Sequence, residues 1–167
     1  MSHTLPLHLG QTSGATRGVI MATVGDVAAY ILQRRGEMTA MKLQKLVYYS
    51  KAWHLVWENK PLFPEQIQAW ANGPVVPELY RQHRRKMNVQ PGDINGDPAA
   101  LTPNEAESVD AVLRFYGDRK AYELSDLTHN ENPWRDARGD TPAGAPSNAV
   151  ITDNAMYEYY DGLVGTN

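Results

Sequence analysis

The sequence predicts a mainly α-helical, compact single domain of about six helices, with a Pro/Gly-rich connector able to form one short β pair. Three observations favour this fold class. Apolar residues recur at helical spacing along most of the chain, and residues that cap helices precede several of these segments. Residues 62–80 interrupt the pattern with three prolines and a Gly-Pro step, which neither a helix nor a central strand accommodates. The 167 residues are enough to bury one core.

Residues 1–22 show no amphipathic period and are rich in Gly, Thr, Ser and His, so we predict a disordered arm or a start-site extension there. The folded domain is predicted to span residues 23–162. Thr23 opens its first helix, because Asp26 completes a capping pair and apolar residues follow at helical spacing. This helix is predicted to end near Gly36.

The second predicted helix is the longest of the chain. Thr39 is placed to cap it, and the pattern continues to about Glu58. One face collects the less polar side chains, while Lys42, Lys45 and Lys51 fall elsewhere. The face consists of Leu43, Leu46, Val47, Ser50, His54 and Trp57.

The connector at residues 62–80 is too apolar for a solvated linker. Ile67, Trp70 and Val75 indicate that it lies on the core, where it is predicted to pair with residues 150–151. Pro77 suits the first position of a further helix, because its missing N–H would be unpaired there in any residue. That helix is predicted to fade before Pro91.

The C-terminal half contains a strong helix start. Thr102 and Glu105 form a capping box, with a proline at the first helical position between them. Turn residues precede this helix at 90–100, and a Pro/Gly/Ala/Ser loop follows at 139–149. Further helical segments are predicted at residues 122–128, from residue 132 onward, and at 152–161.

Composition excludes several function classes. The chain has no cysteine, so disulfides, thiolate metal sites and a cysteine nucleophile are ruled out, in keeping with a reducing compartment. No stretch approaches the roughly 20 apolar residues that span a bilayer. The histidines show no metal-ligand spacing, and we predict no cofactor. We therefore expect a cytoplasmic protein with no membrane partner.

Charge is distributed unevenly along the chain. Residues 1–90 hold 11 Lys/Arg and 5 Asp/Glu, while residues 91–167 hold 5 and 14, and the total is −3. This polarity either steers a charged partner or pairs one half of the fold with the other. Arg81, Arg84 and Arg85 belong to the densest basic cluster, but the acidic pI of 5.9 argues against nucleic-acid binding.

An enzyme hypothesis is confined to residues 126–136. His129 has acidic neighbours such as Asp126 and is a conceivable general base, but no Ser or Cys nucleophile and no phosphate loop accompanies it. We favour a helix-ending turn that caps the next helix, and we predict no enzyme activity. His54 lies on the apolar helix face and is interpreted as a hydrogen-bonded core residue rather than a ligand.

Several spaced motifs resemble one family. MTAMKLQKLVYY at 38–49, the Gly-Pro step with its neighbours at 69–80, LTH at 127–129 and PW at 133–134 resemble the Panacea antitoxin domain, also described as SocA-like or phage-associated GepA-like. The resemblance covers about residues 24–160. The positions we expect to be the structural signature of the family are Leu43, Leu46, Trp53, His54, Trp70, Gly73, Pro74, Val75, Pro77, Tyr80, Thr128, His129, Pro133 and Trp134.

The resemblance implies an antitoxin of a bacterial or prophage toxin–antitoxin pair. It would neutralise, by direct protein contact, a toxin encoded by a neighbouring gene. Two alternatives stay open: an adaptor that delivers the toxin to a cytoplasmic protease, and an enzyme that reverses a modification made by the toxin. Gln44, Tyr48 and Lys51 share a more polar helix face on which a partner would dock. The full set of candidate toxin contacts is Lys42, Gln44, Lys45, Tyr48, Lys51, Arg81, Arg84 and Arg85.

Overall fold

The computed structural model describes residues 21–164, and within them the fold is mainly α-helical, as predicted. Seven α-helices and one short 3-10 turn occur in this part of the chain. The helices are α1 (Val24–Arg35), α2 (Ala40–Glu58), α3 (Pro77–His83), α4 (Pro103–Tyr116), α5 (Ala121–His129), α6 (Asn132–Arg138) and α7 (Asp153–Val164). The short strands are β1 (Met38–Thr39), β2 (Ile67–Trp70), β3 (Gly73–Val75), β4 (Asn88–Val89) and β5 (Val150–Ile151).

The predicted helix starts are confirmed by their capping geometry. The Thr23 hydroxyl accepts from the Asp26 amide at 3.1 Å, and the Asp26 carboxylate accepts from the Thr23 amide at 2.9 Å. Thr102 and Glu105 form the same reciprocal pair at the start of α4. The Thr39 hydroxyl caps α2. Each of these side chains satisfies an amide that has no acceptor within its own helix.

Helix α2 is the central element. It packs against α1, α4, α5, α7 and β3, so it is surrounded on nearly all sides. Leu43, Leu46, Val47 and Tyr49 are fully buried along it. Because the helix has almost no solvent-facing side, its polar residues share the interior with the apolar ones.

The connector forms a small antiparallel sheet. Strand β2 pairs with β3, with Ala69 opposite Pro74, and with β5, with Ile67 opposite Ile151. The predicted pairing with residues 150–151 is therefore confirmed. Local sequence signals predicted neither the β2–β3 hairpin nor the two-stranded pair of β1 and β4.

Ion pairs join the basic and acidic halves of the chain. Arg34 contacts Asp110 at 3.0 Å and Arg35 contacts Asp118 at 2.9 Å, which ties α1 to α4 and to the turn that follows it. Part of the charge asymmetry thus pairs within the fold.

The predicted domain boundaries lie close to the limits of the described residues. The arm is predicted at residues 1–22, of which residues 1–20 lie outside the described residues, and Ala22 is buried. Helix α7 continues to Val164, beyond the predicted domain end at residue 162. Within residues 21–164, no helix combines the length and apolar character needed to cross a bilayer.

Candidate functional site

A groove of about 1050 Å³ lies between the start of α2, helix α3, the β2–β3 hairpin and the loop before β5. We call it the cationic groove. Its walls are formed by Thr39, Ala40, Met41, Gln44, Lys45, Gln68, Trp70, Ala71, Asn72, Val75, Tyr80, His83, Arg84, Lys86, Met87, Ala121, Gly144, Pro146, Ser147 and Asn148.

The charged residues that line the groove are all basic. They are Lys45, Arg84 and Lys86, and no Asp or Glu of residues 21–164 lines it. Lys86 lies 3.9 Å from Asp93, a separation at which an exposed pair contributes little. The groove therefore presents positive potential to anything that enters it.

Apolar side chains are exposed at the rim of the groove. Met87 is 81% exposed, Met41 is 39% exposed and Tyr80 is 36% exposed. Neighbouring apolar side chains that stay in contact with water mark surfaces where another molecule binds. Methionine suits such a surface because its flexible thioether adapts to the shape of a partner.

Lys45 reaches the groove from the buried side of α2. Only 1% of the residue is exposed, and within residues 21–164 its ammonium forms no hydrogen bond or ion pair with an acceptor. Burial without a counter-charge lowers the Lys45 pKa from 10.5 to about 7. The chain thus keeps a cation where desolvation penalises it.

Gly73 provides the space for the Lys45 side chain. Its φ of +122° is a conformation that residues with a side chain rarely adopt, and an added Cβ would lie 2.5 Å from the Lys45 Cε. The same Cβ would lie 3.1 Å from the Thr128 hydroxyl. The glycine of the Gly-Pro step is therefore needed for both its backbone geometry and its small size.

Gln44 attaches the hairpin to α2. Its carbonyl oxygen accepts from the Val76 amide at 2.9 Å, and its amide group donates to the Val76 carbonyl at 3.3 Å. The same amide lies 2.9 Å from the His83 Nε2, which accepts its hydrogen bond when the ring is neutral. Burial and the nearby Lys45 charge lower the pKa of His83 and so favour the neutral ring. One buried glutamine thus holds β3 and α3 in place.

The family-signature positions meet behind the hairpin. Trp134 Nε1 donates to the Trp70 carbonyl at 2.8 Å, and the Trp70 ring packs edge-on against Tyr80 at 5.0 Å. The His129 ring stacks on Trp134 at 4.0 Å. His129 Nε2 is buried and has no hydrogen-bond partner in residues 21–164. Segments that are distant in sequence therefore support one wall of the groove.

The prediction that α2 presents a polar docking face is wrong in one respect, because the side chains of this face are buried. Gln44, Lys45, Tyr48 and Lys51 are all at most 3% exposed. The Tyr48 hydroxyl lies 3.0 Å from that of Tyr160. The Lys51 ammonium donates to the Glu65 carbonyl at 3.0 Å and lies 3.4 Å from Asp153. Helical periodicity identifies faces, but it does not show that every face of α2 is covered.

The other candidate contacts occupy different surroundings. Lys42 is half-buried near Arg35, Asp118 and Glu123, and burial lowers its pKa. Arg81, Arg84 and Arg85 are exposed on and after α3, and Arg84 is the one of these three that lines the groove. The part these four residues play in binding a toxin stays a prediction.

His54 lies in the core, where it contacts a serine. His54 Nδ1 lies 2.8 Å from the Ser108 hydroxyl in the core, which confirms its interpretation as a hydrogen-bonded core residue. Burial lowers the His54 pKa to about 4, so its ring is neutral. Within residues 21–164, no three His, Asp or Glu side chains come together in a way that would hold a metal ion.

Two features are not predictable from the sequence motifs. The groove depends on Met87 and the loop at 144–148, which no local motif connects to α2. Glu131 is buried and accepts hydrogen bonds from Tyr49 at 2.8 Å and Tyr160 at 2.6 Å, while burial raises its pKa. The apparent turn residue Glu131 is therefore part of the core.

Comparison with known proteins gives one family. A family model described as antitoxin SocA-like, Panacea domain matches residues 43–135, which is more than half of the chain. The match contains Lys45, Gly73 and Arg84 but ends before the loop at 144–148. No curated protein and no solved structure matches the chain.

Proposed function

Because this chain belongs to the antitoxin SocA-like, Panacea domain family, we propose that it is an antitoxin that neutralises a protein toxin by binding it directly at the cationic groove. The cognate toxin would be the product of a neighbouring gene, and binding would take place in the cytoplasm. The proposal excludes catalysis by this chain, so neutralisation requires one antitoxin molecule for each toxin molecule bound.

The observation that carries this proposal is the composition of the groove. Its charged residues are uniformly basic, and apolar side chains stand exposed at its rim. Aromatic residues, methionine and arginine are the types enriched in protein interfaces, and Tyr80, Met87 and Arg84 are of these types. The groove therefore suits a protein surface that combines acidic and apolar groups.

Rigidity of the groove favours inhibition by direct coverage. The hairpin is attached to α2 through Gln44 and to α6 through the Trp134 hydrogen bond, so the wall is held in place before binding. A preformed surface loses little conformational entropy when a partner docks. A toxin bound there would have its active surface covered or locked.

The test is co-expression with the protein encoded next to this gene. That protein is expected to be toxic alone, harmless with this chain, and co-purified with it as a stoichiometric complex. Arg84→Glu is expected to weaken the complex by roughly 10- to 100-fold, because it reverses a charge within the groove. Arg135→Glu, a matched change at an exposed residue that does not line the groove, should leave affinity unchanged. Equal loss in both variants would exclude the groove as the toxin-binding site.

The two alternatives predict different outcomes. A protease adaptor shortens the half-life of the toxin in cells, whereas an inhibitor leaves toxin levels steady in a sealed complex. An enzyme that reverses a modification rescues at substoichiometric amounts and loses rescue in a His129→Ala variant. Rescue that requires at least one antitoxin per toxin, with a stable toxin level, supports direct neutralisation over both.

A further inference from the structure

Lys45 differs from the other buried cations of the described chain in having no acceptor. Arg138 donates to the carbonyls of Ala69, Pro142 and Ala145, and Lys51 has the Glu65 carbonyl and Asp153. The Lys45 ammonium has no such partner in residues 21–164, yet it lines a groove that is open to solvent. A buried charge without a partner is destabilising, and an acceptor that enters the groove would relieve this cost.

The surroundings of Lys45 specify an anion. His83 from α3 and His129 from α5 lie close enough that the Lys45 charge lowers the pKa of each. Arg84 and Lys86 add positive charge at the wall, and no carboxylate of residues 21–164 lines the groove. An incoming anion would therefore meet attraction from several groups and repulsion from none of the lining residues.

The donor set fits a carboxylate better than a phosphate. A phosphate carries up to two charges and several oxygens, and its sites usually supply an arginine fork or a set of backbone amides. Here Lys45 is the buried cation of the groove, Arg84 is exposed at its wall, and apolar residues such as Trp70 and Val75 line the same groove. A single carboxylate on an apolar segment matches that combination.

We propose that the cationic groove receives a carboxylate of the toxin, carried by an acidic side chain or by the chain terminus, and pairs it with the Lys45 ammonium. This inference rests on the proposed function, because it names the chemistry by which the toxin is recognised. The apolar rim at Met41, Tyr80 and Met87 holds the segment that carries the carboxylate.

The pairing couples binding to proton uptake. Free Lys45, with its pKa of about 7, is half protonated at neutral pH, whereas a bound carboxylate keeps the amine charged. Binding at pH 8 is therefore expected to take up about 0.9 proton at this residue. Affinity should fall as pH rises above 7, by up to about tenfold per pH unit.

Calorimetry with the protein encoded next to this gene tests the proposal. Titrations at pH 7 and pH 9, in buffers of different ionisation heat, give affinity and proton uptake for wild type, Lys45→Met and Lys60→Met. Lys45→Met should weaken binding at pH 7 by roughly 10- to 100-fold and remove the proton uptake. Lys60→Met is the matched control, since Lys60 is exposed and does not line the groove.

A second arm uses the protein alone. Phenylacetate at millimolar concentration should raise the pKa of Lys45, seen in the NMR shift of its Cε carbon, while the neutral isostere phenylacetamide should not. If wild type and Lys45→Met bind the toxin equally, or if phenylacetate leaves the Lys45 resonance unchanged, the inference is overturned. If wild type fails to bind the neighbouring protein, the proposed function is wrong. In that case the neighbouring protein is also excluded as the source of the carboxylate. The phenylacetate arm then reports on the carboxylate site alone.

Discussion

Replacing Lys45 by methionine is expected to stabilise the folded protein at neutral and acidic pH. Methionine has nearly the length of the lysine stem but no charge, so it fills the space beside Gly73 without the desolvation cost of the ammonium. The direction is unusual, because most substitutions of fully buried residues reduce the free energy of unfolding.

The magnitude follows from the pKa of Lys45. A lowering from 10.5 in the unfolded chain to about 7 in the folded protein, at about 1.4 kcal/mol per pKa unit, corresponds to an upper value of about 4–5 kcal/mol at pH 6. Replacements of buried ion pairs by apolar residues of similar volume are often neutral or stabilise proteins by about 1–4 kcal/mol. We therefore expect Lys45→Met to raise the free energy of unfolding by about 1–4 kcal/mol at pH 6.

The pH dependence has a definite sign. Between pH 7 and pH 10.5 the unfolded chain holds a proton on Lys45 that the folded protein lacks. The Lys45 contribution to stability therefore increases as pH rises through this window, and the advantage of Lys45→Met shrinks to about half by pH 9. Below pH 7 both states are protonated and the advantage is constant.

Urea unfolding followed by circular dichroism at pH 6 and pH 9 measures this difference. Lys60→Met serves as the control and should change the free energy of unfolding by no more than about 0.5 kcal/mol, since Lys60 is exposed. The reasoning is refuted if Lys45→Met is less stable than wild type at pH 6. It is also refuted if the difference between the two proteins is the same at both pH values.

Three further changes are expected to reduce stability, each measured by urea unfolding at pH 7. Gly73→Ala should cost about 1–3 kcal/mol, because it strains the positive φ and crowds Lys45, and an unchanged midpoint would contradict this geometry. Arg138→Met should cost about 2–4 kcal/mol, because it leaves three carbonyls without their donor, two of them in residues 142–145. A cost below that of Thr102→Ala would contradict this expectation. Thr102→Ala should cost about 1 kcal/mol by removing the cap of α4, while Thr102→Ser should restore most of it.

Local chemistry made the helices predictable from the sequence. The capping pairs at Thr23 and Thr102 involve residues three positions apart, so the information that starts each helix is contained within it. Pro77 opens α3 for the same reason, since its ring restricts only its own backbone and that of its neighbour. Such local signals do not depend on how the rest of the chain folds.

The environment of α2 was not predictable in this way. Gln44, Tyr48 and Lys51 occupy a face that is polar by composition, and an isolated helix would expose it to water. That face is buried because α5, α7 and the β2–β3 hairpin all pack on the same helix. The burial of these residues is thus decided by segments as far as 112 residues away, which helical periodicity does not record. The β1–β4 pair was not predicted either, because strands of two residues are too short to show a hydrophobic period.

Several features that cost stability are concentrated at one place in the fold. Lys45 is buried without an acceptor, and His129 Nε2 is buried without a hydrogen-bond partner in residues 21–164, while Gly73 leaves the space that the Lys45 side chain needs. Elsewhere in the described chain, buried charges such as Arg138 have partners, so this is not a general tolerance for unpaired groups. Local violations of packing rules that cluster in a groove are typical of functional sites, where stability is exchanged for binding. All three residues fall within the part of the chain that matches the antitoxin family model. Of these residues Lys45 lines the groove, so its ammonium is the group we expect a toxin to pair.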